Sequence, residues 1–541
     1  MEVNYSAETL PSAPPREIPE GTPADSPIRV IHDLESRLKV LDDQQQDIAS
    51  QYPDGPQRLR GLAGTGKTVL FAKRAAKIHH EHPDWKIAFV FFTRSLYDQI
   101  KKERISHYYR ELTEGREPNW DNLKVLHAWG AKNQDGFYRT LAIKCGMKPK
   151  SVRDVESEIG KISPGDAFEY ICNGFERQVS NLPILYDAIL IDEGQDLPYS
   201  FYRLALHTLS QPKRLYWAYD EAQGIGSLIV PDTADMFGRN PDGSPVVDLG
   251  LGSDNSFYYE GTNIRKADNL NRCYRTPRML LMAAHAVNMG LLRKEGPLQG
   301  VSNQEEWRKL GYDVIEGDFT DASVKEGKLI KVERQADKSP HPIDREDFEV
   351  HEGIGEQLII KTFSDESQEQ QWIAQQVAND LKHGLEQSDI MIAALYGDDQ
   401  ENYLRGLQDA LNSNGVKSCI AGVDTNPSQF GKPSHVTLSN IYRAKGNEAW
   451  KVYACRLHYA TRPLPWKGES ELHKRNEAFV ALTRARVWCV ATGLENPIFD
   501  ELQTAKEQSP YLIFPAFNKN SLKRITDEQS TVNSQQSTVT N

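Results

Sequence analysis

The eight residues Gly61-Leu62-Ala63-Gly64-Thr65-Gly66-Lys67-Thr68 constrain this chain more than any other stretch. They fit G-x-x-x-x-G-K-[ST]. Arg58 to Arg60 precede them as a short strand end, and Val69 to His82 follow with apolar residues at helical spacing. Such a strand, loop and helix gathers backbone N–H groups at one point, aims the positive end of a helix there and adds a lysine charge. That arrangement suits a polyphosphate. The expected phosphate-binding residues are therefore Gly61, Ala63, Gly64, Thr65, Gly66, Lys67 and Thr68, and the Thr68 hydroxyl is the expected ligand to Mg²⁺. A nucleotide triphosphatase using Mg²⁺ is the expectation.

A second stretch supports it. Tyr186 to Ile191 is an apolar strand that ends in two consecutive carboxylates, Asp192 and Glu193. A buried strand ending this way can set Asp192 on the Mg²⁺ of a nucleotide and Glu193 where it takes a proton from the attacking water. Short β-type runs alternate with helical patterns elsewhere: Lys86 to Phe92, Asp187 to Ile191, Arg214 to Tyr219, Gln357 to Phe363, Asp389 to Leu395, Val436 to Ile441, Lys451 to Leu457 and Val487 to Thr492. Alternation of this kind predicts an α/β fold, with enough strands for two parallel-sheet domains and a ligand between them at strand ends. The 541 residues are ample for this.

Composition narrows the class further. A net charge of −12 excludes a generally basic nucleic-acid coat, though not a local basic groove. The six cysteines are scattered without a C-x-x-C pair, so neither a zinc site nor a disulfide framework is expected, and a reducing cytoplasm is. No apolar run approaches the ~18 residues of a membrane span. Residues 1–27 and 516–541 read as flexible tails.

From about Leu41 to Gly493 the chain resembles the UvrD/Rep-like superfamily 1 helicases, whose second motif has the form D-E-x-Q-D, as Asp192 to Asp196 does. Leu41-Asp42-Asp43-Gln44-Gln45-Gln46 is similar to the family's adenine-reading glutamine motif, with Gln45 best placed by its spacing to Lys67 and Gln44 and Gln46 in the adjacent registers. Phe91-Phe92-Thr93-Arg94 and Val125-Leu126-His127-Ala128-Trp129 resemble segments that lie along single-stranded DNA. Tyr219 to Ile225 resembles G-D-x-x-Q-S-I, which gives Gln223 the role of coupling the γ-phosphate to the DNA groove. Leu270 to Thr276 resembles L-x-x-N-Y-R-S, implying that Tyr274 stacks on the base and Arg275 reaches the γ-phosphate. Tyr442-Arg443-Ala444-Lys445-Gly446-Asn447-Glu448 and Phe479 to Ala485 complete the set. They add Glu448 to the nucleotide site, Arg443 to the DNA contacts and Arg484 as a second γ-phosphate arginine.

The resemblance implies two RecA-like parallel-sheet domains and ATP-driven 3′ to 5′ movement on single-stranded DNA or at a duplex junction. The first domain is expected over residues 28–275, with a helical 1B-like insert over about 96–185. The second is expected over 276–515, with a reduced 2B-like insert over about 290–355. Implied DNA contacts are Thr93, Arg94, His127, Trp129 and Arg443. Two departures stand out. No aromatic follows the third motif at Gly224 to Ser227, so the base-stacking ring falls to Trp129, Tyr258 or Tyr259. Asn440 also stands where the family has threonine. The reduced inserts favour a second reading, an ATPase subunit that gates a nuclease or other protein partner.

Overall fold

Buried strands of a parallel sheet should be apolar on both faces, and those of this chain are. The computed structural model describes residues 16–37, 43–131, 134–220, 232–250, 257–300, 304–317, 328–345, 354–397, 399–463 and 470–517. Six strands form a first sheet: β1 (Gln57–Gly61), β2 (Ile87–Phe91), β3 (Leu123–His127), β4 (Tyr186–Ile191), β5 (Leu209–Tyr219) and β6 (Ala267–Leu270). Their order is β3-β2-β4-β5-β1-β6, and every pairing is parallel. Alternate residues feed two cores. Ala88, Val90, Ile189 and Ile191 face one layer, while Ile87, Phe89, Phe91, Ala188 and Leu190 face the other.

Between the sheets the chain makes β7 (Tyr312–Glu316) and β8 (Leu329–Arg334), then enters a second sheet. Its strands are β9 (Leu358–Phe363), β10 (Ile390–Ala394), β11 (Ser418–Ile420), β12 (Val436–Asn440), β13 (Ala449–Cys455) and β14 (Ala485–Leu494). The order is β11-β12-β10-β13-β14-β9, again all parallel. The final strand, β15 (Tyr511–Pro515), pairs antiparallel with β8, which pairs antiparallel with β7. The expected α/β class with two parallel sheets is thus what the chain forms.

The interval 96–185 holds the helices Ser106–Leu112, Phe137–Lys144, Val152–Ile159 and Pro164–Gln178, and also β3, which edges the first sheet. Among its described residues the interval 290–355 carries one α-helix, Gln304–Lys309, and two short 3-10 turns, Ala336–Lys338 and Pro342–Asp344, with β7 and β8, and β15 closes its sheet.

The N-terminal end departs from expectation. Helix α1 (Pro27–Arg37) buries Val30, Ile31 and Leu34 in the second lobe, against Ile373, Ile390, Trp450 and Val487. The sequence reading placed residues 28–37 with the first lobe. Their apolar spacing fits a core face, and the face they fit belongs to the other sheet. The first lobe begins instead at α2 (Asp43–Ser50), whose Ile48 and Ala49 join its core. No helix among the described residues is long and apolar enough to cross a membrane.

Candidate functional site

The glycine loop joins β1 to α3 (Lys67–Glu81) at the carboxyl end of the first sheet. Gly64 and Gly66 adopt φ of 77° and 88°, a left-handed backbone that favours glycine. Space demands glycine as well. A Cβ at Gly64 would fall 2.9 Å from Cys273 Sγ, and one at Gly66 would fall 2.9 Å from Gln45 Nε2. No side chain caps α3, so its first N–H groups face the loop's open side. Lys67 Nζ donates to the Gly61 and Leu62 carbonyls at 2.7 and 2.8 Å and reaches Asp220 Oδ2 at 3.3 Å. Gln45 Nε2 donates to the Thr65 carbonyl at 3.0 Å. Tyr274 N donates to the Gly64 carbonyl and Cys273 Sγ to that of Ala63, which fastens the segment after β6 onto the loop.

Asp192 and Glu193 follow β4 directly beside this loop. Asp192 is fully buried. Neither of its carboxylate oxygens has a hydrogen bond of ordinary geometry among the described residues, and the Thr68 hydroxyl and Lys67 are its favourable neighbours. Burial and the adjacent Glu193 charge push its carboxyl up. An orphaned buried carboxylate beside a hydroxyl fits the hard oxygen donors that Mg²⁺ takes, with phosphate oxygens completing the shell.

Glu193 sits in the left-handed region, φ 53° and ψ 43°, a conformation that costs a non-glycine residue roughly 1 kcal/mol or more. Burial alone would raise its carboxyl, but Lys445, Lys67 and Arg484 together hold it below the ordinary value. Gln195 locks it in place. Its Nε2 donates to Glu193 Oε2, and its Oε1 accepts from Asp220 N at 3.1 Å.

The second lobe supplies the facing wall. Arg484, between the helix Glu471–Leu482 and β14, is buried and bonds the Val480 carbonyl at 3.0 Å and Thr483 Oγ1 at 3.3 Å. Burial and the neighbouring Arg275 push its guanidinium down to about 9, against the pull of Glu193, Glu448 and Asp220. Arg275 bonds Glu448 Oε2 at 3.1 Å and the Thr483 carbonyl at 3.2 Å. Burial would raise the Glu448 carboxyl, yet Arg275, Arg486 and Arg104 bring it down to about 2.

Direct bonds cross between the lobes. Lys445 Nζ pairs with both Asp196 oxygens at 2.6 and 2.7 Å, Ser95 Oγ donates to the Arg443 carbonyl at 3.0 Å, and Asn447 Nδ2 donates to Ser95 Oγ at 3.1 Å. The two lobes therefore share one crevice holding Lys67, Asp192, Glu193, Arg275, Arg484 and Glu448. Arg275 lies on the crossover just after β6, against Gly64, because Cys273 and Tyr274 bind the loop backbone. Arg484 alone of the two comes from the second sheet's side.

Sequence reasoning passed over two arginines here. Arg104 and Arg486 both act on Glu448, and the Nε of each is buried without a hydrogen bond among the described residues, that of Arg486 lying 3.9 Å from Glu448 Oε1. Arg104 belongs to the basic run Lys101, Lys102 and Arg104. It lies in a π-helical segment, Gln99–Ile105, whose wider turn shifts the register that a 3.6-residue period would assign. The Arg486 guanidinium carbon lies over the Trp450 ring, 3.8 Å from its centre.

The residues expected along a strand divide into two groups. Thr93 and Arg94 cap β2 and are half-buried, and the charges of Arg94 and Arg443 are near enough to repel each other. His127 is instead occupied by its own turn. Its Nδ1 accepts from Trp129 N at 3.1 Å and Gly130 N at 3.0 Å, and burial followed by the Arg94 charge holds the ring neutral, its pKa down to about 4. Trp129 is core: it stacks on Phe168 and donates Nε1 to the Lys150 carbonyl at 2.9 Å, so it offers no exposed platform for a base. Tyr259 donates its hydroxyl to the Pro56 carbonyl. Tyr258 and Tyr442 are exposed rings, and Tyr442 leans on Tyr396. Asn440 accepts from Arg443 N at 2.9 Å, capping the turn that carries Tyr442 and Arg443, a task threonine also performs. Gln223 lies outside the described residues.

No protein-family model matches the chain, and no curated protein does. Among solved structures it is similar to the C-terminal domain of a possible DNA helicase from Lactobacillus plantarum WCFS1, at 16% identity over 28% of this chain and 81% of that one, with a TM-score of 0.20. A likeness at that TM-score decides nothing about function.

Proposed function

We propose that the chain is an ATP-hydrolysing motor on single-stranded DNA, of the UvrD/Rep-like superfamily 1 kind its motifs resemble, with 3′ to 5′ polarity taken from that resemblance. The observation that carries the reading is the shared crevice. An anion-binding loop and an acidic pair from the first sheet meet Arg484 from the second, with Arg275 at the crossover between them.

In this reading the first turn of α3 and Lys67 hold the triphosphate, and Gln45 and Tyr274 border the base. Glu193 stays ionised near neutral pH and accepts the proton of the attacking water. Arg275 and Arg484 stabilise charge on the transferring γ-phosphoryl group, with Glu448 orienting Arg275. Thr68 and Asp192 would hold Mg²⁺, which when bound neutralises phosphate charge. The Lys445–Asp196 pair and the Ser95–Asn447 bond carry lobe movement to Arg94 and Arg443, which would grip strand phosphates.

The test is ATP turnover by the purified chain with single-stranded DNA, duplex DNA and RNA. A rise of tenfold or more with single-stranded DNA supports the motor. Turnover that no nucleic acid changes removes it.

A further inference from the structure

Arg74 is a buried cation that lies outside the crevice. It sits on α3 seven residues beyond Lys67, and so on the same face of that helix, with 1% of its surface exposed. No carboxylate forms an ion pair with it among the described residues, and Asp268 acts on it only at longer range. Burial pushes its guanidinium down to about 10. A cation held this way costs stability that an apolar side chain of similar length would not.

Its bonds show what the charge holds. Nη2 donates to the Ile48 carbonyl at 2.5 Å, one of the last-turn carbonyls that α2 leaves without an intrahelical donor, at the negative end of that helix. Nη1 donates to Gln57 Oε1 at 2.7 Å at the start of β1, and Gln57 Nε2 donates to the Arg265 carbonyl at 2.6 Å. The guanidinium lies over the Phe71 and Tyr216 rings, 5.6 and 5.2 Å from their centres. Tyr216 donates its hydroxyl to the Pro53 carbonyl at 2.7 Å, in the connection from α2 to β1.

The eight residues of α2 are too few for a helix to hold itself in water. Its place is set from outside, by Ile48 and Ala49 in the core and by Arg74 at its end. Nearer its start, Gln45 donates to the Thr65 carbonyl of the glycine loop. The helix that begins at Lys67 therefore grips the helix that carries Gln45.

We propose that Arg74 is a positioning residue for nucleotide binding: it clamps α2 to α3 and β1, so that Gln45 and the glycine loop keep a fixed separation. The clamp stands on geometry. Its effect on ATP rests on the function proposed above.

Arg74→Met removes the charge and both bonds while filling most of the space. Amide exchange in the full chain without nucleotide reads the clamp: the last turn of α2, Asp47 to Ser50, should exchange about tenfold or more faster, with α3 and β4 as in the parent chain. Steady-state ATP turnover with single-stranded DNA reads the coupling. KM should rise about three- to tenfold and kcat at saturation should stay within about twofold. Arg74→Lys, a cation without the two-pronged fork, should restore part of both. Unchanged exchange in α2 overturns the clamp, and faster exchange with an unchanged KM overturns the positioning role. Exchange loosened across the whole lobe, with kcat falling alongside the melting temperature, makes Arg74 a packing residue only and overturns it as well; if Arg74→Met does not fold, Arg74→Lys is read by the same criteria. A parent chain that turns over no ATP rejects the function proposed above and this role with it, while the exchange result separately decides whether the clamp exists.

Discussion

Glu193→Gln separates proton acceptance from charge balance in the crevice. The amide keeps an oxygen for Gln195 Nε2 and nearly the same volume, so the left-handed turn and its lock to Asp220 survive. It cannot accept the water's proton. General-base catalysis contributes about 10² to 10⁴ in rate, roughly 3 to 5 kcal/mol of barrier, and kcat should fall by that factor. Affinity should move the other way. Lys445, Lys67 and Arg484 all act on this carboxylate, and removing its charge leaves those cations to the phosphates. Two like charges about 6 Å apart repel by roughly 3 kcal/mol at an effective dielectric constant of ~20, so ATP should bind up to about 100-fold more tightly. Steady-state turnover paired with equilibrium binding of a fluorescent ATP analogue reads both effects. A kcat within tenfold of the parent chain, or weakened binding, would refute the assignment of Glu193 as base.

Lys67→Ala should abolish detectable turnover and weaken ATP binding, because the phosphates lose their cation; near-parental hydrolysis would refute the glycine-loop assignment. Glu448 should show as a pH effect on stability. Its folded carboxyl is held down to about 2, below the ordinary 4.5, so its stabilisation is complete above about pH 4.5 and is lost as pH falls toward 2. Glu448→Gln should therefore lower the melting temperature at pH 7, and the gap to the parent chain should narrow below about pH 4.5 and close only near pH 2; a pH-independent gap would show that the Arg275 pair contributes little. His127→Asn should disturb the Trp129–Gly130 turn and cost stability, with little change in the salt dependence of DNA binding, because the ring is neutral; a reduced salt slope would restore it as a phosphate contact.

Much of the site was legible in sequence because its chemistry is local. The glycine loop, the Asp192-Glu193 pair and the strand that bears it each lie within a few residues, and buried runs such as Ile87–Phe91 announce parallel strands by composition. Elements whose identity depends on distant partners were harder. β6 reads Ala-Asp-Asn-Leu and is a strand only because β1 lies beside it. β7, β8 and β15 form a sheet across a long gap in sequence. The apolar face of α1 was readable, but the lobe it docks on was not. Trp129 shows the converse: a motif match marked it for DNA, and its packing on Phe168 makes it core.

The central claim, that Arg484 crosses from the second lobe to complete a site built on the first, is tested most directly by a transition-state mimic. ADP with aluminium fluoride should bind the parent chain at least about 100-fold more tightly than ADP, since arginine forks act on the planar, charge-spread group. Arg484→Ala should lose most of that preference while binding ADP nearly as before. Equal preference in both chains would contradict the account.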